Sequence, residues 1–259
     1  MHDTKRMREL IVIGIGPGHP DQITVQAVAA LNRAQVFFVV GKGAEKGGLL
    51  AVREEILRRH IRNADGYRVV EIADPPRDRA AADYPGAVED WHQARADRFA
   101  AAITEHLDED GVGAFLVWGD PALYDSALRV IDRIIARGDL EFEHSVIPGV
   151  MSVQALTSAH RMTLNRIGEP IHITTGRRLA DGMPAELDSV VVMLDAGFAA
   201  AQLPEPDLEV FWGAYLGTAD EVLINGTLGD VAERITATKT ELRQRHGWIM
   251  DTYLLRRKR

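Results

Sequence analysis

The sequence predicts an α/β protein of two domains, the first built on a mostly parallel sheet and the second on a mixed one. Three observations carry this expectation. Through residue 147, short apolar runs alternate with longer stretches whose apolar residues recur at helical spacing. Those runs, such as Val36-Phe-Phe-Val-Val40, are unbroken, as strands covered on both faces are. After Pro148-Gly149 the strands come closer together with shorter connections, and 259 residues leave room for one large or two modest units, here 1–150 and 151–259.

The elements follow in order. Glu9–Gly14 reads as a strand ending in glycine, and Ile23, Ala27, Val28 and Leu31 place a helix over 21–33. A strand at 36–40, a helix at 49–60 and a strand at 67–72 complete a β-α-β step. The stretch ADPPRDRAAADYPG (73–86) is rich in loop formers, and its adjacent prolines cannot sit inside a sheet, so it reads as a long, functional loop. A long amphipathic helix from Val88 to Leu107, a strand at 112–118, a helix at 124–137 and a strand at 142–147 continue the alternation. The second domain is expected to hold a helix at 150–159, strands near 171–175, 189–194, 208–213 and 221–224, a helix at 228–245 and a last strand around 248–254.

Composition excludes several function classes. The absence of cysteine removes thiolate catalysis, iron–sulfur clusters, cysteine zinc sites and disulfides. The nine histidines are scattered without metal-ligand spacing, so no metal is expected. Thirty-eight acids against thirty bases give a net charge of -8, which argues against a nucleic-acid partner. The segment 25–40 is interrupted by Asn32, Arg33 and Gln35, so no membrane span is expected. The start, MHDTKRMREL, lacks a secretory pattern, and a cytoplasmic location follows as an expectation.

Three loops at strand ends carry the chemical signal. Gly14-Ile-Gly-Pro-Gly18 sits between strand and helix, where glycines let backbone approach a ligand. It is not a dinucleotide fingerprint: the third glycine of G-x-G-x-x-G would fall at His19, and Pro17 removes a donor that a pyrophosphate needs. Trp118-Gly-Asp-Pro-Ala-Leu-Tyr124 follows another central strand, at the sheet edge where open α/β folds bind ligands. Val146-Ile-Pro-Gly-Val-Met-Ser152 comes one strand later, and Ser152 reads equally as a helix cap or a ligand contact.

In this order and spacing the three loops resemble the tetrapyrrole (corrin and porphyrin) methylases, over nearly the whole chain. The segments Glu71–Asp78, Asn165–Pro170, His172–Arg178 and Gly247–Tyr253 are similar to the deacetylating branch of that family in aerobic cobalamin synthesis. The resemblance implies a two-domain homodimer that binds S-adenosyl-L-methionine in the interdomain cleft and yields S-adenosyl-L-homocysteine. It places cofactor contacts at Pro17, Gly119, Asp120, Leu123, Met151, Ser152, Met193 and Gly217. For this branch it implies methylation of precorrin-5 at C-1 with loss of the acetyl group as acetate, giving precorrin-6A. Another methyltransferase of the same fold acting on a different precorrin, and a non-catalytic binder of precorrin or cofactor, remain open.

Removal of an acetyl group needs a base for water. Asp74, Asp21 and Tyr124, with Asp78 and His172, lie in or beside the expected loops. A small-molecule tetrapyrrole with many carboxylates calls for guanidinium partners, for which Arg77, Arg166, Arg177 and Arg178, with Arg79, are the candidates. Trp118, Trp212 and Tyr215 could stack on flat ligands or pack in the core.

Overall fold

The structure is a computed structural model and describes residues 7–41, 47–76 and 84–258. The chain divides into two compact units: residues 1–16 with Pro20–Val150, and Pro17–His19 with Met151–Arg259.

In the first unit the elements are β1 (Glu9–Gly14), α1 (Val25–Leu31), β2 (Val36–Gly41), α2 (Gly47–His60), β3 (Arg68–Ala73), α3 (Tyr84–His106), β4 (Val112–Val117), α4 (Ala127–Arg137) and β5 (Glu143–Ile147). All five strands are parallel, in the order β3-β2-β4-β1-β5. The unbroken apolar runs follow from this, because both faces are covered. Ile11, Ile13, Phe37, Ala114 and Leu116 pack under α1 and α2. Leu10, Val12, Phe38, Phe115 and Val117 pack under α3 and α4, where Phe115 stacks between Phe38 at 5.3 Å and Phe99 at 5.1 Å.

The strands lie within a residue or two of their expected places, while three helix starts differ for identifiable reasons. The first helix begins at Val25 and not near Asp21, because Thr24 takes the N-cap and its hydroxyl accepts from Ala27 N at 3.0 Å. The fourth begins at Ala127 because Tyr124 has a φ of 54°, which no helix accommodates. The third begins at Tyr84, inside the stretch expected to be loop, since Pro85 falls in the first turn, where a missing N–H costs nothing.

The second unit holds α5 (Ser152–Ala159), β6 (Ile171–Thr175), α6 (Gly176–Leu179), β7 (Ser189–Met193), a 3-10 turn (Ala199–Gln202), β8 (Glu209–Ala214), β9 (Val222–Thr227), α7 (Leu228–His246) and β10 (Asp251–Arg256). Its sheet runs β6-β7-β10-β8-β9, with β6 and β7 parallel and the remaining pairs antiparallel. The mixed sheet is therefore as the sequence predicts. The short helix α6 and the 3-10 turn have no counterpart among the elements expected from the sequence.

A charged network is buried within this unit. Lys239 of α7 is 3% exposed, and its ammonium donates to Asp251 and to the Asp195 carbonyl. Trp212 Nε1 donates to Asp251 Oδ2 at 2.9 Å, and the Tyr253 hydroxyl donates to Asp195 Oδ2 at 2.6 Å. Burial pushes the Asp251 carboxyl above its usual range, against the pull of Lys239 and Trp212. Removing only the cation leaves that carboxylate buried with the Trp212 indole as its remaining partner in this network. Lys239→Met should therefore lower the unfolding free energy in urea by about 3–5 kcal/mol, and Lys239→Met with Asp251→Leu should recover most of the loss. An unchanged urea midpoint for the single variant would show that the pair is not what holds α7 on its sheet.

Candidate functional site

Strands β1 and β4 are hydrogen-bonded neighbours, yet they send the chain to opposite faces of the sheet. The chain leaving β1 reaches α1, which packs with Ile11 and Ile13. The chain leaving β4 reaches α4, whose Val130, Ile131 and Ile134 pack with Leu10 and Val12. Neighbouring strands that diverge in this way make a topological switch point, and the crevice outside their carboxyl ends is where open α/β sheets hold ligands.

Glycines close that edge backbone to backbone. Gly119 N donates to Gly16 O at 2.9 Å and Gly16 N to Gly119 O at 3.3 Å, with φ of 69° and 81°. A Cβ on Gly149 would lie 2.1 Å from Gly119 O, and one on Gly14 would lie 2.6 Å from Gly149 N. Asp120 ties the same strands together: its Oδ2 accepts from Gly149 N at 2.8 Å and its Oδ1 from Ala122 N at 2.8 Å. The contribution of Gly14 and Gly149 is absent from the candidates read off the sequence. Their signal was present in the glycines that close β1 and follow β5, but only three-dimensional packing shows that no side chain fits.

The loops of the second unit are built on the same principle. Pro17 and Gly18 are buried, and a Cβ on Gly18 would lie 2.4 Å from Leu216 O. Gly217 has φ 78°, and its N–H donates to Glu221 Oε2 at 2.7 Å. Met193 ends β7, and the next residue, Leu194, is exposed with φ 51°. Met151 is the N-cap of α5, so Ser152 is not the cap; its hydroxyl instead bonds Thr252 Oγ1 at 3.0 Å. Leu123 is half-buried beside the exposed Tyr124.

The aromatic candidates separate clearly. Trp212 and Tyr215 are buried in the core, so neither presents a face to a ligand. Burial beside Asp220 and Asp251 pushes the Tyr215 phenol up to about 12. Trp118 is half-buried directly after β4, and its indole Nε1 is a buried donor with no hydrogen-bond partner among the described residues.

Unpartnered buried side-chain atoms gather in the first unit. Among the described residues there are nine, and six of them belong to Gln22, Arg53, Asp74, His92, Arg95 and Trp118. Each of these follows a strand of the parallel sheet or lies in a helix leading away from one. Two of them, Asp74 Oδ1 and Arg95 Nε, form an ion pair at 3.0 Å; Gln22 and Trp118 stand in the loops after β1 and β4, where a ligand or solvent could complete them. A recess of about 640 Å³ beside α7, by contrast, is lined by Ala201, Ala232, Thr236 and Gln244 and holds none of these loops.

The candidate acids and arginines fall in unlike surroundings. Asp74, just after β3, sits 3.0 Å from Arg95 Nε. Asp21 is exposed and paired with Arg59 at 2.8 Å. His172 is exposed on β6, and Arg177 and Arg178 are exposed on α6. Arg166 is occupied internally: it pairs with Asp188, lies 3.6 Å from Glu209 and donates to Arg257 O at 2.7 Å. Arg77, Asp78 and Arg79 lie outside the described residues. No cluster of three or more metal-ligating side chains occurs among the described residues.

Several known proteins share this sequence and geometry. The model of the Tetrapyrrole (Corrin/Porphyrin) Methylases matches residues 9–232. A precorrin-6A synthase (deacetylating) of a Sinorhizobium species is 47% identical over 251 residues, 97% of this chain and 96% of that protein. The crystal structure of a cobalamin synthesis related protein (CobF) from Corynebacterium diphtheriae superposes with a TM-score of 0.84 at 41% identity, covering 96% of this chain and 98% of that one. A uroporphyrin-III C-methyltransferase from Thermus thermophilus, solved in complex with S-adenosylhomocysteine, shares the fold with a TM-score of 0.61 at 20% identity, covering 95% of this chain and 96% of that one. The chain belongs to the tetrapyrrole (corrin/porphyrin) methylase family.

Proposed function

We propose that this protein is an S-adenosylmethionine-dependent methyltransferase that methylates precorrin-5 at C-1 and releases the acetyl group as acetate, giving precorrin-6A. The observation that carries the reading is the 47% identity, over nearly the full length of both chains, to a precorrin-6A synthase (deacetylating). The switch-point crevice with its side-chain-free glycines supports it, since backbone there can approach a ligand closely.

The residues present fit the cofactor. Pro17, Gly119, Asp120 and Leu123 belong to the loops after β1 and β4, and Met151, Ser152, Met193 and Gly217 follow or end β5, β7 and β8. When bound, S-adenosylmethionine supplies an electrophilic sulfonium methyl. The protein's own work is to orient, to exclude water from the methyl, and to deliver water to the acetyl carbonyl, with orientation alone worth up to about 7–11 kcal/mol. Arg177 and Arg178, exposed on α6, are the arginines this reading assigns to substrate carboxylates. The family resemblance also supports a homodimer working in the cytoplasm. Light scattering on the purified protein should then give twice the 28.6 kDa chain mass, and a monomer would remove that part of the reading.

Incubation with precorrin-5 and methyl-labelled S-adenosylmethionine should give a labelled product and free acetate together. Labelled product without acetate would refute the deacetylating reading, and neither product would favour a non-catalytic binder. Gly149→Ala, whose methyl would meet Gly119 O at 2.1 Å, should weaken S-adenosylhomocysteine binding at least tenfold by calorimetry. Unchanged affinity would mean that the glycine packing does not shape the cofactor loops.

A further inference from the structure

Helix α3 grips the chain as it leaves β3. Three of its residues, spaced i, i+4 and i+7 and so on one face, each hold a successive residue of that exit. Arg98 Nη1 donates to Ala73 O at 2.7 Å, Arg95 Nε lies 3.0 Å from Asp74 Oδ1, and Trp91 Nε1 donates to Pro75 O at 3.0 Å. The central cation is itself fixed. The Arg95 side chain is 7% exposed, donates to Ser126 Oγ, and lies 4.6 Å from the Trp91 ring and 5.5 Å from that of Phe99.

The Arg95–Asp74 contact is ionic and not aligned as a hydrogen bond. Asp74 Oδ1 is therefore a buried acceptor with no donor among the described residues, although the side chain as a whole is 21% exposed. Native structures usually complete a buried charged acceptor of this kind with an ordered water, which here would have to share Oδ1 with the Arg95 guanidinium 3.0 Å away. Asp74 also stands at the carboxyl edge of the parallel sheet, two strand spacings from the Gly-Asp-Pro loop after β4, or roughly 10 Å. A tetrapyrrole over the strand ends can reach both. Of the other candidate bases, Asp21 is tied to Arg59 at the surface.

We propose that Asp74 is the general base of acetyl removal and that Arg95 is the positioning residue that holds it. The proposal rests on the deacetylating methyl transfer proposed above. Water bound at Asp74 gives a proton to the carboxylate as its oxygen adds to the acetyl carbonyl carbon. The bond from that carbon to C-1 then breaks, leaving acetic acid, and its electron pair stays on C-1 and the conjugated macrocycle. C-1 takes the methyl from the sulfonium, which leaves as neutral S-adenosylhomocysteine. The proton on Asp74 and that of acetic acid pass to solvent, which restores the carboxylate.

The test compares Asp74→Asn, Asp74→Ala, Arg95→Lys and Arg95→Ala with the unaltered protein, measuring acetate, methylated product and S-adenosylhomocysteine affinity. The unaltered protein must first make both products; if it does not, the proposed function fails, and not the assignment of the base. Given that activity, Asp74→Asn should lower kcat for both products together by on the order of 10²–10⁴-fold while Kd for S-adenosylhomocysteine stays within about twofold. Formate should restore part of the activity of Asp74→Ala. Arg95→Lys should keep about tenfold more activity than Arg95→Ala, because it retains the charge beside Asp74. Near-normal kcat in Asp74→Asn would overturn the proposal. So would loss of S-adenosylhomocysteine binding in that variant together with no rescue of Asp74→Ala by formate, which would mark Asp74 as merely structural.

Discussion

The close approach of Gly14, Gly119 and Gly149 is the constraint on which the candidate site depends. Strands β4, β1 and β5 end side by side, and their backbones meet where not even a methyl fits. Asp120 makes the arrangement stable as well as tight, since its carboxylate accepts from Gly149 N and Ala122 N and so fixes two loops at once. The divergence of β1 and β4 to opposite faces leaves a crevice at this point, and the glycines keep side chains out of it. Gly16 and Gly119 pay for this with positive φ, a conformation that glycine adopts without strain.

The second unit solves a different problem with buried charge. Its loop after β7 is shaped by Asp195, which accepts from Gly197 N and Ala199 N and packs so closely on Gly176 that a Cβ there would lie 2.4 Å from the carboxyl carbon. That contact joins the end of β7 to the start of α6, the element carrying Arg177 and Arg178. Lys239 and Tyr253 anchor Asp195 from α7 and β10. A sequence strand ending in Val-Met and a helix opening with Gly-Arg-Arg are thus one mechanical piece, though eighteen or more residues separate Gly176 from the residues it meets.

Much of the architecture was legible because parallel strands announce themselves. Runs such as Leu10–Ile13 and Val36–Val40 are apolar at every position, and the amphipathic stretches between them could only be crossover helices. The three loops were legible because glycine and proline mark places where the backbone does something unusual. The role of each loop residue was less so. Ser152 follows a β-to-helix turn, and its sequence suits a cap, yet Met151 takes that position and the hydroxyl finds Thr252, one hundred residues away. Trp212 and Tyr215 sit near a strand end in the sequence and are in the core in space. The clamp of Trp91, Arg95 and Arg98 on 73–75 was invisible for the same reason: a helix face can be read from spacing, but what it faces cannot.

On the proposed function, this fold couples hydrolytic loss of an acetyl group to methyl transfer at the same carbon. Running the reaction on precorrin-5 in water enriched in oxygen-18, and analysing the released acetate by mass spectrometry, tests it most directly. One acetate should form for each methyl transferred, with at least one heavy oxygen in each. Unlabelled acetate, or methylated product that keeps its acetyl group, would contradict it.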